Sequence, residues 1–239
     1  MRLDKFLAEA GFGSRTQVKS LLKTKKVCVN GKKESQAKKQ INPNLDRVEI
    51  EGQEVLYEEF VYYMLNKPKG VISATQDKVH QTVVDLLDET AKQKAVFPVG
   101  RLDKDTHGLL LLTNNGDLAH RLLSPKKHVN KVYMAEVDGL MTNQDIESFK
   151  KGIHLSDHQC QPAVLEILAI DREKSRSRVK IVIKEGKFHQ VKRMVLACGK
   201  EVRDLQRLEM GPLQLDSKLA LGAFRKLENT EIEALLSLP

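Results

Sequence analysis

Residues 99–116 read VGRLDKDTHGLLLLTNNG. The four consecutive leucines predict a buried strand, because a short apolar run that ends at turn residues suits a strand covered on both faces. The Asn-Asn-Gly at 114–116 predicts a turn, and DLAHRLLS at 117–124 predicts a helix after it. Arg101, Asp103 and Asp105 stand just before the strand. The predicted buried strand therefore holds an arginine and two carboxylates at its N-terminal end.

Other apolar segments along the chain repeat this alternation of strands and helices. The predicted strands outnumber the helices and come in adjacent pairs, which favours a mixed, mainly antiparallel sheet in an α+β domain over a parallel sheet. Thr82 and Thr142 are the expected helix N-caps, and Gly199 the expected stop. The further predicted strands are VYYML (61–65), KVYMAEV (131–137), AVLEILAI (163–170) and RVKIVIK (178–184), and the further helices are TVVDLL (82–87), TNQDIESFKKGI (142–153) and HQVKRMVLACG (189–199).

The first part of the chain predicts a separate small module. Apolar residues from Leu3 to Ala10 follow helical spacing, and Ser14 with Gln17 predicts a capping box at the start of a second helix. VCVNGKKE (27–34) predicts a hairpin around Asn30-Gly31, and RVEIEGQEV (47–55) a further short strand. The expected organisation is a helix-helix-hairpin module over residues 1–57, a YEEF linker at 57–60, and the sheet domain over residues 61–239.

The positive charge of the protein is concentrated in that module. The net charge is +8, and residues 1–48 contain 12 Lys and Arg against 4 Asp and Glu, whereas the remaining residues balance at 28 of each. A basic module on a neutral body suggests binding to a polyanion, most often a nucleic acid. The alternative is a basic face that only aids solubility.

Composition and missing motifs narrow the function classes. No run of about 18 apolar residues predicts a membrane helix, and the N-terminus does not resemble a signal peptide. Three widely spaced cysteines indicate a reducing compartment, so a cytoplasmic location is expected. Glycine-rich nucleotide-binding motifs and H-E-x-x-H are absent from the sequence, so we expect neither a cofactor nor a metal site. His154 and His158 are four residues apart but lie in a predicted polar loop.

Asp103 and Asp105 allow several interpretations from the residues alone. In an extended segment, side chains two residues apart point the same way, so the two carboxylates could serve acid/base chemistry together. They could equally be turn residues or members of a surface ion pair.

Two groups of motifs resemble known families. RLDKFLAEAGFGSR (2–15), the basic second helix and VCVNGK (27–32) resemble the S4-type RNA-binding domain. This resemblance implies binding of structured RNA through phosphates, contacts that position a protein without reading sequence. On the basic side of this module, the residues expected to contact RNA are Arg2, Lys5, Arg15, Lys19, Lys23 and Lys26.

The rest of the chain resembles the RNA pseudouridine synthases, in the RsuA-type branch that modifies ribosomal RNA and carries an N-terminal S4-type domain. Four motifs in the family's order carry the resemblance: YYMLNKPKG (62–70), GRLDKDTHGLLLLTNNGDLAH (100–120), SPKKHVNKVYMAEV (124–137) and IKEGKFHQVKRM (183–194). The run EGKFHQVKRM is most similar to the 16S-specific type and implies uridine 516 as the target. The alternatives are a 23S rRNA synthase of the same branch and a non-catalytic rRNA-binding or ribosome-assembly protein.

The resemblance also implies roles for individual residues. Asp103 matches the essential aspartate, Tyr133 the active-site tyrosine, and Lys192 the basic residue that pairs with the aspartate. Arg193 is the rival for that pairing and is otherwise expected to bind RNA. Arg101 matches the arginine that helps to open the RNA, although it could merely pair with Asp105. Lys67 and Lys69 are expected to line the RNA path. The implied partner is ribosomal RNA or a pre-ribosomal particle of the small subunit, bound by a monomer that requires no membrane.

Overall fold

The computed structural model describes residues 1–124 and 127–238, so Pro125 and Lys126 of the SPKKHVNKVYMAEV motif and Pro239 lie outside the described residues. The chain forms two compact units. One comprises Met1–Val61 and Leu87–Val96, and the other Tyr62–Leu86 and Phe97–Pro239.

The first unit contains the predicted helix pair and hairpin. Leu3, Phe6 and Leu7 on the first helix pack with Val18 and Leu22 on the second in an apolar core. Asn30 and Gly31 both have positive φ, which is the backbone that a two-residue hairpin turn requires. The elements are α1 (Leu3–Glu9), α2 (Arg15–Lys23), β1 (Val27–Val29), β2 (Lys32–Lys33), β3 (Val48–Ile50), β4 (Gln53–Glu54) and α3 (Glu89–Gln93), with sheet order β2-β1-β3-β4.

Two local predictions in this unit can be compared with the structure. The Ser14–Gln17 capping box is confirmed, since Ser14 Oγ accepts from the Gln17 N–H and Gln17 Oε1 accepts from the Ser14 N–H. The single strand expected at 47–55 is wrong. The segment forms the hairpin β3–β4, because Glu51 and Gly52 adopt positive φ and reverse the chain.

The second unit is built on one large sheet. Its path is β13-β5-β7-β11-β8-β10-β9, with β12 on β11 and β6 on β7. Only β7 and β11 pair in parallel among the described strands, so the predicted mixed, mainly antiparallel α+β fold is confirmed. The strands are β5 (Tyr62–Lys67), β6 (Phe97–Pro98), β7 (His107–Thr113), β8 (Lys131–Asp138), β9 (Val164–Asp171), β10 (Arg176–Ile183), β11 (Glu201–Met210), β12 (Leu213–Gln214) and β13 (Phe224–Lys226).

Helices cover parts of this sheet. Asn115 caps α4, and Thr142 with Asp145 forms a capping box on α5, so both predicted starts are confirmed. Gly199 follows the end of α6 with positive φ, as predicted. The helices are α4 (Gly116–Leu123), α5 (Asn143–Lys151), α6 (Gln190–Ala197) and α7 (Asn229–Leu236). None of the helices in the described parts of the chain is long and apolar enough to span a bilayer.

The helix expected at TVVDLL (82–87) is wrong. The backbone N–H and hydroxyl of Thr82 both donate to the Asp85 carboxylate, at 2.8 and 2.9 Å, and close a turn instead. Val83 and Leu87 are buried beside this turn. A segment this short gains little from helix propensity, so the side-chain bonds of Thr82 and the burial of its apolar residues decide its structure.

The parallel contact between β7 and β11 brings the site motifs close together. Gly108 on β7 has φ +102°, and a Cβ built there would lie 2.3 Å from the backbone oxygen of Arg207 on β11. Only glycine allows this approach. The strand that follows Asp103 is therefore pressed against the strand that carries Arg207.

Candidate active site

Asp103 lies on the loop between β6 and β7, and the core holds this loop in place. Leu102 is buried, and Ser73 Oγ donates to its carbonyl at 2.9 Å and accepts from its N–H at 3.0 Å. The Asp103 side chain is 27% exposed. It therefore stands at the edge of the core rather than in bulk solvent.

Lys67 also holds the loop that carries Asp103, through hydrogen bonds from its buried side chain. Its ammonium donates to the carbonyls of Pro68, Asp103 and Thr106 at 2.9–3.0 Å. The Lys67 side chain is fully buried, and this burial lowers its pKa to about 8. A side chain without exposed surface cannot contact RNA, so the expectation that Lys67 lines the RNA path is corrected to a structural position.

Lys69, unlike Lys67, is accessible to solvent. Its side chain is half exposed and forms an ion pair with Asp204. His107 also contacts Asp204, with 3.0 Å between Nε2 and a carboxylate oxygen. Lys69 is thus accessible to RNA but already has a carboxylate partner.

Two side chains from the α6 region converge on Asp103. Lys192 Nζ lies 3.1 Å from Asp103 Oδ2 and 2.5 Å from Asp105 Oδ1, and His189 Nε2 lies 3.4 Å from Asp103 Oδ1. Burial opposes the charge on Lys192, but hydrogen bonds to both carboxylates outweigh it and raise the pKa of Lys192. The same contact lowers the pKa of Asp105. One lysine therefore holds two carboxylates.

The competition between Lys192 and Arg193 is resolved by geometry. Arg193 forms a two-pronged ion pair with Asp157, whereas Lys192 points to Asp103. The alternative pairing of Arg101 with Asp105 is not seen among the described residues, where the ion-pair partner of Asp105 is Lys192. Arg101 is exposed at the cleft and makes no ion pair with any described residue.

A short network orients the start of α6. Gln190 is buried, donates to Glu185 at 2.6 Å, and accepts from the Lys187 N–H at 2.9 Å. His189 has φ +48°, a left-handed conformation that is uncommon for histidine and is held here by the surrounding bonds. The network thus fixes the direction in which His189 and Lys192 leave the backbone.

Asp103, His189 and Lys192 line a cleft of about 110 Å³. One water needs roughly 10–15 Å³ of such space, so the cleft holds several waters or one small ring. Tyr133 on β8 lines it with 8% of its side chain exposed, and Leu205 and Ile183 are further apolar lining residues.

Two buried cations in this cleft were not anticipated. Lys131 is 6% exposed, and burial together with the nearby Arg207 lowers its pKa to about 8. Arg207 is 2% exposed and donates from Nε to the Leu109 carbonyl at 2.8 Å, but its Nη2 has no hydrogen-bond partner among the described residues. Period-two alternation from Tyr133 would have placed Lys131 on the same face. The cleft is therefore positive beyond the Asp103–Lys192 pair.

Potential metal ligands cluster once in the described part of the chain. His158, Cys160 and Glu185 each bring one ligand atom within 4.8 Å of the others. Glu185 already accepts from the Gln161 N–H and from Gln190. His154 instead contacts Gln159, so His154 and His158 do not form a pair. That the protein needs no metal or cofactor stays a prediction.

Residues 61–197 match the family model described as RNA pseudouridylate synthase. The chain belongs to this family. It is thus an isomerase that converts uridine to pseudouridine in RNA. Residues 1–46 match the S4 domain, which confirms the predicted RNA-binding module.

Relatives of this synthase match over nearly the whole chain. Ribosomal large subunit pseudouridine synthase B of Bacillus subtilis (strain 168) is 39% identical, covering 99% of this chain and 96% of its own. Ribosomal small subunit pseudouridine synthase A of Escherichia coli (strain K12) is 36% identical, covering 99% and 100%. A crystal structure of a pseudouridylate synthase is 35% identical with a TM-score of 0.68, covering 98% and 99%. The predicted family is confirmed.

Proposed function

We propose that this synthase isomerises one uridine of ribosomal RNA, uridine 516 of 16S rRNA, with Asp103 as its catalytic carboxylate. The observation that carries the proposal is the Asp103–Lys192 ion pair at 3.1 Å, at a cleft that Tyr133 lines. The similarity to small subunit synthase A and the EGKFHQVKRM run support the 16S target. The 39% identity to large subunit synthase B favours a 23S uridine as the second candidate.

The reaction needs only groups of this chain. The bond between uracil N1 and the sugar C1′ breaks, the base turns, and C5 bonds to C1′ while the C5 proton is lost and N1 gains one. Atoms and electrons balance without an oxidant or reductant. The Asp103 carboxylate stabilises the electron-poor sugar carbon, by covalent attack or as a counter-charge. Lys192 pairs with that carboxylate and orients it toward the cleft.

The cleft residues act on the base. Tyr133 places its ring beside the uracil, and its hydroxyl relays a proton as C5 loses one. Lys131 and Arg207 supply positive charge where the detached uracil is most negative, in a site that excludes much of the water. Arg101, exposed at the cleft, holds a phosphate or fills the space that the flipped uridine leaves. In this proposal, the enzyme works as a monomer in the cytoplasm on a small-subunit precursor.

The target can be tested by mapping pseudouridines in ribosomal RNA from cells with and without this gene. We expect the pseudouridine at 16S position 516 to disappear on deletion and to return when the wild-type gene, but not an Asp103→Asn gene, is restored. Loss of a 23S pseudouridine instead would reject the 16S assignment and support the second candidate. An unchanged map of both RNAs would reject both targets.

The N-terminal unit offers a surface for docking on RNA. Arg15, Lys19 and Lys23 are exposed on α2 and make no ion pair with any described residue. Arg2, Lys5 and Lys26 are each paired with a nearby carboxylate. The unpaired residues of α2 are therefore the strongest candidates for phosphate contacts.

Charge reversal tests this surface. Arg15→Glu with Lys19→Glu is expected to weaken RNA affinity and to reduce the slope of log affinity against log salt by about 1.5, since each of the two lost phosphate contacts removes roughly 0.7–0.9 from the slope. Filter binding or fluorescence anisotropy at several salt concentrations measures this. The control is Lys150→Glu with Lys151→Glu on α5, which changes the net charge equally. Equal slopes for the two double variants would reject α2 as the docking surface.

A further inference from the structure

Phe188 is an exposed aromatic ring next to the catalytic loop. It is 76% exposed, the most of any phenylalanine or tyrosine in the described residues. The residue lies between β10 and α6, two positions from Gln190 and four from Lys192. An isolated exposed apolar ring needs no explanation by itself, but its stacking partner and its position give this one a specific geometry.

Phe188 stacks on His189. The two ring centroids are 3.8 Å apart and the planes differ by 15°. His189 in turn reaches Asp103, with 3.4 Å between Nε2 and Oδ1. The imidazole of His189 thus contacts both the Asp103 carboxylate and the exposed phenyl ring. Because a single side chain joins Phe188 to the carboxylate, a base on the free face of Phe188 belongs to a nucleotide near the target rather than to a remote segment of RNA.

The stack is already formed without a ligand, on a loop that hydrogen bonds hold in place. Gln190 ties the loop through Lys187 and Glu185, and His189 is fixed at the start of α6. A preformed aromatic surface binds a flat ligand with little further loss of side-chain freedom. The loop that carries it is basic, since Lys184 and Lys187 are exposed. An aromatic face on a basic loop suits a nucleobase and its phosphates better than an apolar protein surface.

We propose that the Phe188–His189 stack binds a nucleobase next to the target uridine. This inference rests on the proposed function in taking Asp103 as the catalytic carboxylate. When the uridine leaves its helix to reach Asp103, its neighbour loses a stacking partner, and the free face of Phe188 replaces it. Stacking tolerates any base, so the Phe188–His189 stack is a platform that stabilises the opened RNA without reading its sequence.

The test measures kinetics on protein-free rRNA fragments that contain the 16S or the 23S target. Phe188→Ala is expected to raise KM about tenfold or more while kcat changes little, since stacking on one base contributes this much to binding. Phe188→Trp should restore the wild-type KM. Leu196→Ala, which removes an exposed apolar side chain from α6, is the matched control and should behave as wild type.

A second readout reports stacking directly. A 2-aminopurine placed beside the target uridine should be quenched on binding to Asp103→Asn protein and much less on binding to the Asp103→Asn, Phe188→Ala protein. Unchanged KM and quenching in the Phe188→Ala variants would overturn the platform. A loss in kcat alone would mean that Phe188 acts on Asp103 through His189, and a defect seen only on ribosomal particles would indicate docking on a protein. Both results contradict the inference.

Different results reject the proposed platform and the proposed target. Wild-type enzyme that modifies the 23S fragment and leaves the 16S fragment unmodified rejects the target, and the platform is then judged on the fragment that is modified. Wild-type enzyme that modifies the 16S fragment with the same KM as Phe188→Ala rejects the platform and leaves the target standing.

Discussion

Asp103→Asn is expected to lower the rate of pseudouridine formation by at least about a thousandfold, the scale of loss when a reacting group is removed from an enzyme. The amide has nearly the shape of the carboxylate but carries no negative charge. It can neither attack nor balance an electron-poor sugar carbon. Single-turnover assays on an rRNA fragment measure the rate, and RNA affinity should stay within about threefold, because the docking surface on α2 is untouched.

Asp105→Asn is the matched control. Asp105 shares Lys192 with Asp103, but its side chain is 71% exposed against 27% for Asp103. We expect Asp105→Asn to keep activity within about tenfold of wild type. An Asp103→Asn enzyme that works at the wild-type rate would show that the carboxylate is not the reacting group.

Much of the fold follows from local patterns. The β7 run, the helix after Asn115-Gly116 and the Ser14–Gln17 capping box depend on residues a few positions apart, so their structures could be predicted. The central strand β11 was missed for a local reason. Its pairing with β8 shifts register between Val202 and Asp204 and between Arg207 and Glu209. These two bulges break the alternation by which a strand is recognised.

The geometry of the site could not be predicted from local patterns, because its main contacts join distant parts of the chain. Lys192 and Arg193 are adjacent cations, and the sequence alone does not show which of them pairs with Asp103. The contact that distinguishes them is the ion pair of Arg193 with Asp157, which lies 36 positions earlier in the chain. The family resemblance placed Asp103, Tyr133 and Lys192, whereas Arg207 could not be placed without β11. The roles of these residues in the reaction stay predictions until the variants are measured.

Lys67→Met is expected to destabilise the protein by about 3 kcal/mol and to lower kcat by about 10- to 100-fold. The lysine is buried and bonds three backbone carbonyls, at Pro68, Asp103 and Thr106. Methionine fills similar volume but leaves those oxygens without a donor, and each unpaired buried acceptor costs about 1–3 kcal/mol. Relief of the buried charge offsets part of this cost. The Asp103 loop then shifts, and a displacement of about 1 Å can cost a hundredfold in rate.

The pH dependence distinguishes a buried lysine from an ordinary packing defect. The pKa of Lys67 is about 8 in the folded protein and about 10.5 in the unfolded chain. Between these values the unfolded chain binds the extra proton, so raising the pH stabilises the wild type relative to Lys67→Met. The difference in unfolding free energy should therefore widen above about pH 8 in urea titrations. Lys69→Met is the control, because it removes an exposed ion pair with Asp204 two residues away. This variant should lose under about 1 kcal/mol of unfolding free energy, and the loss should not grow above about pH 8. Equal losses for the two variants would mean that the three carbonyl bonds do not hold the catalytic loop.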